Sequence, residues 1–186
     1  IPAQEASKIL DAVSFLKDAD ENSDNKPLLG RRVAIYGGGN TAMDAARTAK
    51  RLGADEAMII YRRDREHMPA HEFEADEALS EGVKIHWLSS IKNMETSSIT
   101  VEKMQVVNGK AVPTGEYETL EADSLILALG QEADTDFLKN IEGITFKEDG
   151  TTVEVNPAMM TGYPGIFAGG DMVPSERTVT IATGHG

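Results

Sequence analysis

The stretch Arg31–Arg63 decides the fold of this chain and reads RRVAIYGGGNTAMDAARTAKRLGADEAMIIYRR. A short apolar run at Val33–Tyr36 ends in three consecutive glycines, Gly37–Gly39. An alanine-rich segment follows at 41–52, and a second apolar run occupies 57–61. This order of patterns predicts a strand, a glycine turn, a helix and a second strand. Together they form one βαβ unit, the building block of a parallel sheet.

The glycine turn has the spacing of a dinucleotide-binding fingerprint, Gly37-x-Gly39-x-x-Ala42, in which Ala is allowed at the third position. A pyrophosphate must approach the backbone closely there, and a Cβ would hold it away. The helix that begins near Asn40 points unpaired N–H groups and the positive end of its dipole at the phosphates. The alternative is a glycine-rich turn that only allows a helix to cross the sheet. The candidate ligands are Gly37, Gly38, Gly39, Asn40, Thr41 and Ala42.

The end of the second strand indicates which dinucleotide binds. An NAD site places an acid about 20 residues after the glycines, where it bonds the ribose 2′-hydroxyl. This chain has Arg62 and Arg63 there instead. Arginine suits a 2′-phosphate by its charge and its forked hydrogen bonding, so the sequence predicts NADPH over NADH. The alternative is a solvated charged loop in which Asp64 and Glu66 pair with the arginines.

Two more helices and a third strand are predicted around this unit. Residues 6–17 carry apolar side chains at helical spacing, and the polar, acidic residues 18–26 predict a loop. After the arginines, residues 72–81 predict a helix that Gly82 ends. Residues 83–88 alternate between apolar and polar side chains, which predicts the third strand.

From Ile99 onward the pattern indicates an antiparallel meander. A strand is predicted over 99–107, a tight turn at Asn108-Gly109 and a return over 110–113, with a further strand over 116–120. The whole pattern predicts an α/β, Rossmann-like three-layer dinucleotide-binding domain with a parallel sheet and this meander.

The run Asp123–Leu129 is continuously apolar after its first two residues, as in a parallel strand that is buried on both faces. We expect it beside the first strand, Val33–Tyr36. Ligands gather at the carboxyl ends of strands in such sheets, so its end should face the same crevice as the glycine turn. This adds Gly130 and Gln131 to the candidate ligands.

Composition excludes several classes of function. The net charge of −13 argues against binding to nucleic acid or to an anionic membrane face. The chain has no cysteine, which excludes disulfides, thiolate chemistry and cysteine-ligated iron–sulfur or zinc sites within it. No apolar run reaches the length of a membrane span, and we expect a soluble, cytoplasmic protein.

His67 and His71 are four residues apart, a spacing that also occurs in metal sites. Pro69 lies between them and would disturb a shared helical face. No third ligand follows from the spacing. The sequence therefore predicts surface or capping histidines and no metal site.

The C-terminal residues predict the start of another nucleotide-binding element. The run Pro164–Asp171 predicts a strand that ends in a Gly-Gly-Asp turn, and Arg177 and the residues after it predict the start of a helix. A turn is predicted at Asp149-Gly150, between short strand-like pieces at 143–155.

Four motifs, taken in order, resemble the small subunit of glutamate synthase and its relatives. They are GGGNTAMDAARTAKRLGA, YRRDREHMPA, ALGQEADTDFL and GIFAGGDMV with RTVTIATGHG. Those proteins are NADPH-dependent flavoprotein reductases in which the NADPH domain is inserted into the FAD domain. The resemblance implies a lead-in from the FAD domain at 1–30, an NADPH-binding domain at 31–135 and a return into the FAD domain at 136–186.

The resemblance also implies the chemistry and the partners. Hydride would pass from NADPH to FAD, and electrons would then pass to a partner protein through iron–sulfur centres outside this chain. Gly170 and Asp171 would approach the ribityl chain and pyrophosphate of FAD, and Thr178 and Val179 would lie near the flavin ring. The family's first FAD fingerprint has no counterpart here, so we expect this chain alone to be colourless and inactive.

Two other functions remain open from the sequence. One is a nucleotide-binding module that performs no catalysis. The other is a dehydrogenase that acts directly on a small substrate, which would need a proton-transferring residue opposite the nicotinamide. The sequence offers no convincing candidate for that residue, and we assign no catalytic acid, base or nucleophile.

Overall fold

The computed structural model describes residues 9–20, 28–130 and 133–186. Internal contacts divide the chain into two compact units, Ile1–Gly130 and Gln131–Gly186. The first unit contains all the named strands and three helices. In chain order these are β1 (Ile9–Asp11), α1 (Ala12–Ala19), β2 (Arg32–Tyr36), α2 (Asn40–Arg51), β3 (Glu56–Ile60), α3 (Glu72–Ser80), β4 (Lys84–His86), β5 (Ser89–Met94), β6 (Ser98–Val107), β7 (Lys110–Glu121) and β8 (Ser124–Leu127).

Five strands form a parallel sheet in the order β1-β8-β2-β3-β4. The central strand β2 pairs Ala34 with Met58 of β3 on one side and with Leu125 of β8 on the other. The position of β8 beside β2 confirms the prediction for the apolar run at 123–129. Side chains alternate between two buried faces because both faces of a parallel sheet are covered.

Helices cover one face of this sheet and a second sheet covers the other. On the helical face, Val33 and Ile35 pack against the small residues of α2. Four alanines of α2 are fully buried, which lets the helix axis lie close to the strands. On the opposite face, Ala34 and Met58 pack against residues of β5 and β6. This arrangement confirms the predicted three-layer α/β fold.

The second sheet is an antiparallel meander with the order β5-β6-β7. The predicted turn at Asn108-Gly109 connects β6 to β7, and both of its residues have positive φ. The two strands predicted at 110–113 and 116–120 are one continuous strand, β7, and its pairing register with β6 shifts between Glu102 and Met104. Strand β5 was absent from the sequence prediction.

The prediction of a helix over 6–17 is wrong for residues 9–11. Residues 9–11 form β1, which pairs in parallel with β8, and the helix begins at Ala12. The side chain of Asp11 accepts a hydrogen bond from the backbone N–H of Ser14 at 2.9 Å and caps α1. Residues 6–8 and most of the predicted acidic loop lie outside the described residues.

The second unit is built mostly from turns around a small core of Leu138, Val153, Ala168 and Val173. In the segments 143–155 and 164–171, where the sequence predicted strands, the structure has only isolated antiparallel bridges, Phe146 with Val153 and Phe167 with Met160. The predicted turn at Asp149-Gly150 is confirmed. Short 3₁₀ turns occupy Asp136–Leu138 and Gly170–Met172, and α4 spans Val179–Gly184.

The domain limits expected from the resemblance stay a prediction. The structure places β1 in the same sheet as β2 and divides the chain after Gly130. Across the described ranges, no helix is both long enough and apolar enough to cross a membrane.

Candidate dinucleotide-binding site

The carboxyl ends of β2, β3 and β8 lie together at one edge of the parallel sheet. The backbone N–H of Gly37 donates to the carbonyl of Ile60 at 3.2 Å, and that of Ala128 donates to the carbonyl of Tyr36 at 2.8 Å. These bonds bring the glycine turn, the residues after β3 and the residues after β8 to one place. Ligands of open α/β sheets bind outside this edge.

The three glycines of the turn face different surroundings. A Cβ on Gly37 would lie 2.1 Å from the carbonyl oxygen of Ala128, and a Cβ on Gly38 would lie 2.4 Å from the ring of Tyr61. A Cβ on Gly39 would meet no heavy atom of the described residues within 4 Å. The first two glycines therefore allow the protein to pack on itself. The third leaves room for a ligand to approach the backbone.

Helix α2 presents its N-terminus at this open position. Gly39 is the N-cap residue, and within the described residues no side chain caps this end. The first N–H groups of a helix have no intrahelical partner, and the dipole there favours an anion. Thr41 is exposed, whereas Ala42 is fully buried against the sheet. The small side chain of Ala42 thus allows the close packing that the third fingerprint position requires.

The loop after β3 is hydrogen-bonded to the glycine turn. The backbone N–H of Ala70 donates to the carbonyl of Gly38 at 3.0 Å. The side-chain oxygen of Asn40 accepts a hydrogen bond from the backbone N–H of His71 at 3.0 Å. The amide oxygen of Asn40 therefore holds the loop against the start of α2.

Arg62 and Arg63 follow β3 at this edge. Arg62 is exposed and Arg63 is half-buried. Within the part of the chain that the structure describes, neither takes part in an ion pair. Asp64 is instead paired with His67, whose ring Nδ1 lies 2.6 Å from a carboxylate oxygen. That hydrogen bond lowers the pKa of Asp64 below its ordinary value.

The two charged residues that follow Asp64 do not pair with the arginines either. The guanidinium group of Arg65 lies 2.5 Å from a carboxylate oxygen of Asp76 in α3. Glu66 is exposed to solvent. The alternative that neighbouring acids neutralise the two arginines therefore has no support from these contacts.

The two histidines of this loop lie in separate environments. His67 is paired with Asp64, and the ring of His71 is stacked on Phe73 with 5.6 Å between ring centroids. No group of three or more potential metal-ligating residues occurs among residues 9–20, 28–130 and 133–186.

Gly130 lies just beyond β8 with a positive φ of 96° and is exposed. Ala128, two residues earlier, is in contact range of Gly37, so the structure brings Gly130 to the same edge as the glycine turn. Gln131, the other residue predicted here, lies outside the described residues.

The remaining predicted residues belong to the second unit. Gly170 has a φ of 68°, and its N–H donates to the ring nitrogen Nδ1 of His185 at 3.0 Å. Asp171 is exposed. The side chain of Thr178 caps α4 by accepting a hydrogen bond from Ile181, and Val179 is 84% exposed.

Sequence reasoning missed two residues of these regions. Tyr61 lies under Gly38, and its only sequence signal is an aromatic residue at the end of the strand, just before the arginines. His185 packs against Gly169 and accepts the hydrogen bond from Gly170, and the sequence has no signal for that contact.

A parallel sheet with an open glycine turn, an uncapped helix terminus and two arginines at its carboxyl edge defines a dinucleotide-binding domain of the oxidoreductase type. The chain belongs to the family described as pyridine nucleotide-disulphide oxidoreductase, whose model matches residues 2–186. Members of this family are pyridine nucleotide-dependent flavoproteins. This membership confirms the predicted class, a pyridine nucleotide-dependent flavoprotein oxidoreductase, and the predicted cofactors, NADPH and FAD.

Two relatives have similar sequences. The beta subunit of an NADP(+)-dependent formate dehydrogenase from Moorella thermoacetica is 40% identical over 189 residues, covering 94% of this chain and 26% of that protein. A putative glutamate synthase [NADPH] small chain from Cereibacter sphaeroides is 32% identical over 204 residues, covering 100% of this chain and 49% of that protein. The predicted resemblance to the glutamate synthase small subunit is thus confirmed.

A solved structure has a similar fold. The thioredoxin reductase of T. acidophilum superposes with a TM-score of 0.74 over 96% of this chain and 54% of that one, at 18% sequence identity. The agreement concerns the fold alone. The chain spans about a quarter to a half of the length of the two sequence relatives.

Proposed function

We propose that this chain is the NADPH-binding portion of a flavin-dependent oxidoreductase. In the full-length protein, hydride from NADPH reduces FAD, and the electrons then pass to a partner subunit. The observation that carries this proposal is that the open turn at Gly39 and the pair Arg62 and Arg63 lie at the same edge of the sheet. The turn has an open face at the terminus of α2, and Arg62 and Arg63 lie at the adjacent strand end.

The residues at this edge fit a dinucleotide with a 2′-phosphate. Backbone N–H groups at the start of α2 hold the pyrophosphate, because they point outward and Gly39 has no side chain to hold it away. Arg62 and Arg63 hold the 2′-phosphate through charge-assisted hydrogen bonds. Their net positive charge also distinguishes this phosphate from the hydroxyl group of NADH.

The bound cofactors supply the hydride transfer chemistry, and the protein supplies binding and orientation. Hydride transfer between the two cofactors requires no side chain of this edge to move a proton. Tyr61 and Trp87 are packed edge to face beneath the turn and stiffen it from the protein side.

The second unit fits FAD in part. The exposed carboxylate of Asp171 is available to accept hydrogen bonds from ribityl hydroxyl groups, and exposed Val179 offers an apolar surface to a ring. The N–H of Gly170 is already donated to His185, so it is not among the groups that would hold a phosphate in this arrangement. We therefore assign the ribityl contact to Asp171, and Thr178 serves as the cap that fixes the start of α4.

The names of the relatives support the proposal of a partner. One is a beta subunit of a formate dehydrogenase and the other is a small chain of glutamate synthase. By analogy, we propose a separate electron-accepting subunit. Iron–sulfur centres on that route would lie outside these 186 residues, because cysteine ligands are missing from this sequence.

The test is cofactor preference followed by electron transfer. Titration of the full-length protein with NADPH and NADH is expected to give at least tenfold tighter binding of NADPH. Stopped-flow mixing with NADPH should then bleach the flavin absorbance, and an artificial acceptor should restore it. Binding of NADPH without any reduction of flavin would favour the nucleotide-binding module instead. Equal affinity for the two dinucleotides would remove the NADPH assignment.

A further inference from the structure

Tyr61 connects the glycine turn to the arginine pair. It is the residue directly after β3 and is 5% exposed. Its ring lies against Gly38, where a Cβ would come within 2.4 Å of two ring carbons. The ring also packs edge to face with Trp87, with 6.4 Å between the ring centroids and 80° between the ring planes. The ring therefore cannot turn without moving the glycine turn.

The backbone of Tyr61 is fixed as well. Its N–H donates to the carbonyl of His86 at 3.0 Å, and its carbonyl accepts from the N–H of Ser89 at 2.9 Å. Both partners belong to the region of β4 and β5, so the sheet continues its hydrogen bonding past the end of β3. The tyrosine is thus held by ring packing and by its main chain.

The hydroxyl group of Tyr61 takes part in two hydrogen bonds. It donates to the carbonyl of His67 at 2.6 Å, which closes the loop between the strand and α3. It accepts from the Nε–H of Arg63 at 3.0 Å. The guanidinium carbon of Arg63 lies 5.8 Å from the centroid of the same ring, in the range of a cation–π contact.

These contacts distinguish the two arginines. Arg63 is half-buried and oriented by the tyrosine through Nε, so the edge formed by Nη1 and Nη2 points away from that bond. An oxyanion suits this edge, since two parallel N–H groups match two phosphate oxygens. Arg62 is exposed, and it has no comparable contact within the described residues. Arg62 would contribute positive charge to phosphate binding, and Arg63 would contribute a guanidinium group that is already oriented.

We infer that Tyr61 is a positioning residue for cofactor selection, because it holds Arg63 in the orientation that recognises the 2′-phosphate. This inference rests on the proposed NADPH site and names the residue that sets its preference. A side chain held before binding loses less conformational freedom when the phosphate arrives. The hydroxyl group of Tyr61 therefore contributes to NADPH affinity and leaves NADH affinity unchanged.

The test uses the variant Tyr61→Phe in the full-length protein, with NADPH and NADH titrated in parallel. Phenylalanine keeps the ring under Gly38 and beside Trp87 but removes the hydroxyl group, and with it both the acceptor of the Arg63 hydrogen bond and the donor to the carbonyl of His67. We expect the dissociation constant for NADPH to rise by about five- to tenfold, which is in the range for the loss of one typical intramolecular hydrogen bond. The constant for NADH is expected to change less than about twofold.

Tyr36→Phe is the matched control. Tyr36 ends the neighbouring strand β2, and its hydroxyl group is hydrogen-bonded to Ser90 Oγ at 2.8 Å, on the meander side. This variant also loses a partly buried hydrogen bond of a tyrosine, and it should alter stability without altering the ratio of the two affinities. If the fold were only destabilised in general, the affinities for NADPH and NADH would fall equally in both variants.

A second variant, Arg63→Lys, keeps the charge and removes the Nε–H that Tyr61 orients. We expect it to lose selectivity as Tyr61→Phe does, and the double variant to lose little more than either, because both changes remove one interaction. Additive losses, or an unchanged ratio in Tyr61→Phe, would overturn the positioning role while leaving the NADPH site intact. A wild-type protein without preference for NADPH would overturn the proposed function itself.

Discussion

The carbonyl oxygen of Ala128 lies 2.1 Å from the position that a Cβ on Gly37 would occupy. Strands β2 and β8 therefore end so close together that only glycine fits at the start of the turn. Gly37 also has a φ of 154°, outside the range that L-residues ordinarily adopt. The contact fixes the glycine turn relative to β8, and so the arrangement of the carboxyl edge depends on it.

The first prediction concerns this contact. Gly37→Ala is expected to lower the free energy of unfolding by roughly 3 kcal/mol, because the methyl group must displace backbone and the residue keeps an unfavourable φ. Urea denaturation followed by circular dichroism would measure it. An effect below about 1 kcal/mol would show that the strand ends separate easily.

The neighbouring substitution Gly39→Ala is expected to behave in the opposite way. Its Cβ would enter open space, and the φ of −91° suits alanine, so stability should change by no more than about 1 kcal/mol. NADPH affinity should fall by about tenfold or more, since the methyl group stands where the pyrophosphate approaches α2. Unchanged NADPH binding in a folded Gly39→Ala protein would mean that the cofactor lies elsewhere.

Substitution of the arginines should act on one cofactor only. Arg62→Ala and Arg63→Ala are each expected to weaken NADPH binding by about tenfold or more, as for the loss of a charge-assisted hydrogen bond. Binding of NADH should change little. Calorimetric titration of both cofactors at one fixed salt concentration would measure this, because phosphate contacts are sensitive to ionic strength. Arg51→Ala is a suitable control, since Arg51 is exposed at the opposite end of α2.

A fourth prediction concerns the pH dependence of stability. It involves a contact at the amino ends of β2 and β8, at the other end of these strands from the glycine turn. The Arg32 guanidinium group and the backbone N–H groups of Arg32 and Arg31 donate to Asp123 and hold its pKa below the ordinary value. Because the folded pKa is lowered, the stabilisation is present above the ordinary aspartate pKa of about 4 and is lost as pH falls through the folded value.

Asp123→Asn is therefore expected to destabilise the protein by about 1–3 kcal/mol at pH 7, through the weakened hydrogen bonds to the start of β2. The difference from wild type should shrink as the pH is lowered below about 4. Thermal unfolding at a series of pH values would measure it. A difference that stays constant down to pH 2 would contradict the assigned role of the charge.

The sequence was sufficient to predict the central βαβ unit, because its glycines, alanines and apolar runs act locally. The parallel strand at 123–129 was also predictable, since its lack of alternation reports burial on both faces. Strand β1 was not predictable in this way. It has three residues, and its pairing partner β8 is more than 100 residues away, so nothing local distinguishes it from the first turn of a helix.

The sequence was sufficient to name candidate ligand-binding residues, but it was not sufficient to name the residues that hold them in place. The spacing of Gly37, Gly39 and Ala42 indicated a dinucleotide, and the arginines indicated a phosphate. That Gly38 makes room for Tyr61, and that Asn40 binds the loop through His71, depends on tertiary contacts. Likewise, Asp64 looked able to pair with the arginines until the structure showed His67 as its partner.

The most direct test of the central claim uses ligands that differ only in the phosphate. Adenosine 2′,5′-bisphosphate carries the 2′-phosphate, and adenosine 5′-monophosphate lacks it. We predict that the full-length protein binds the bisphosphate at least tenfold more tightly in calorimetric titration, and that the double variant Arg62→Ala/Arg63→Ala abolishes this difference. Equal affinity of the wild-type protein for the two ligands, or an undiminished difference in the double variant, would contradict the account.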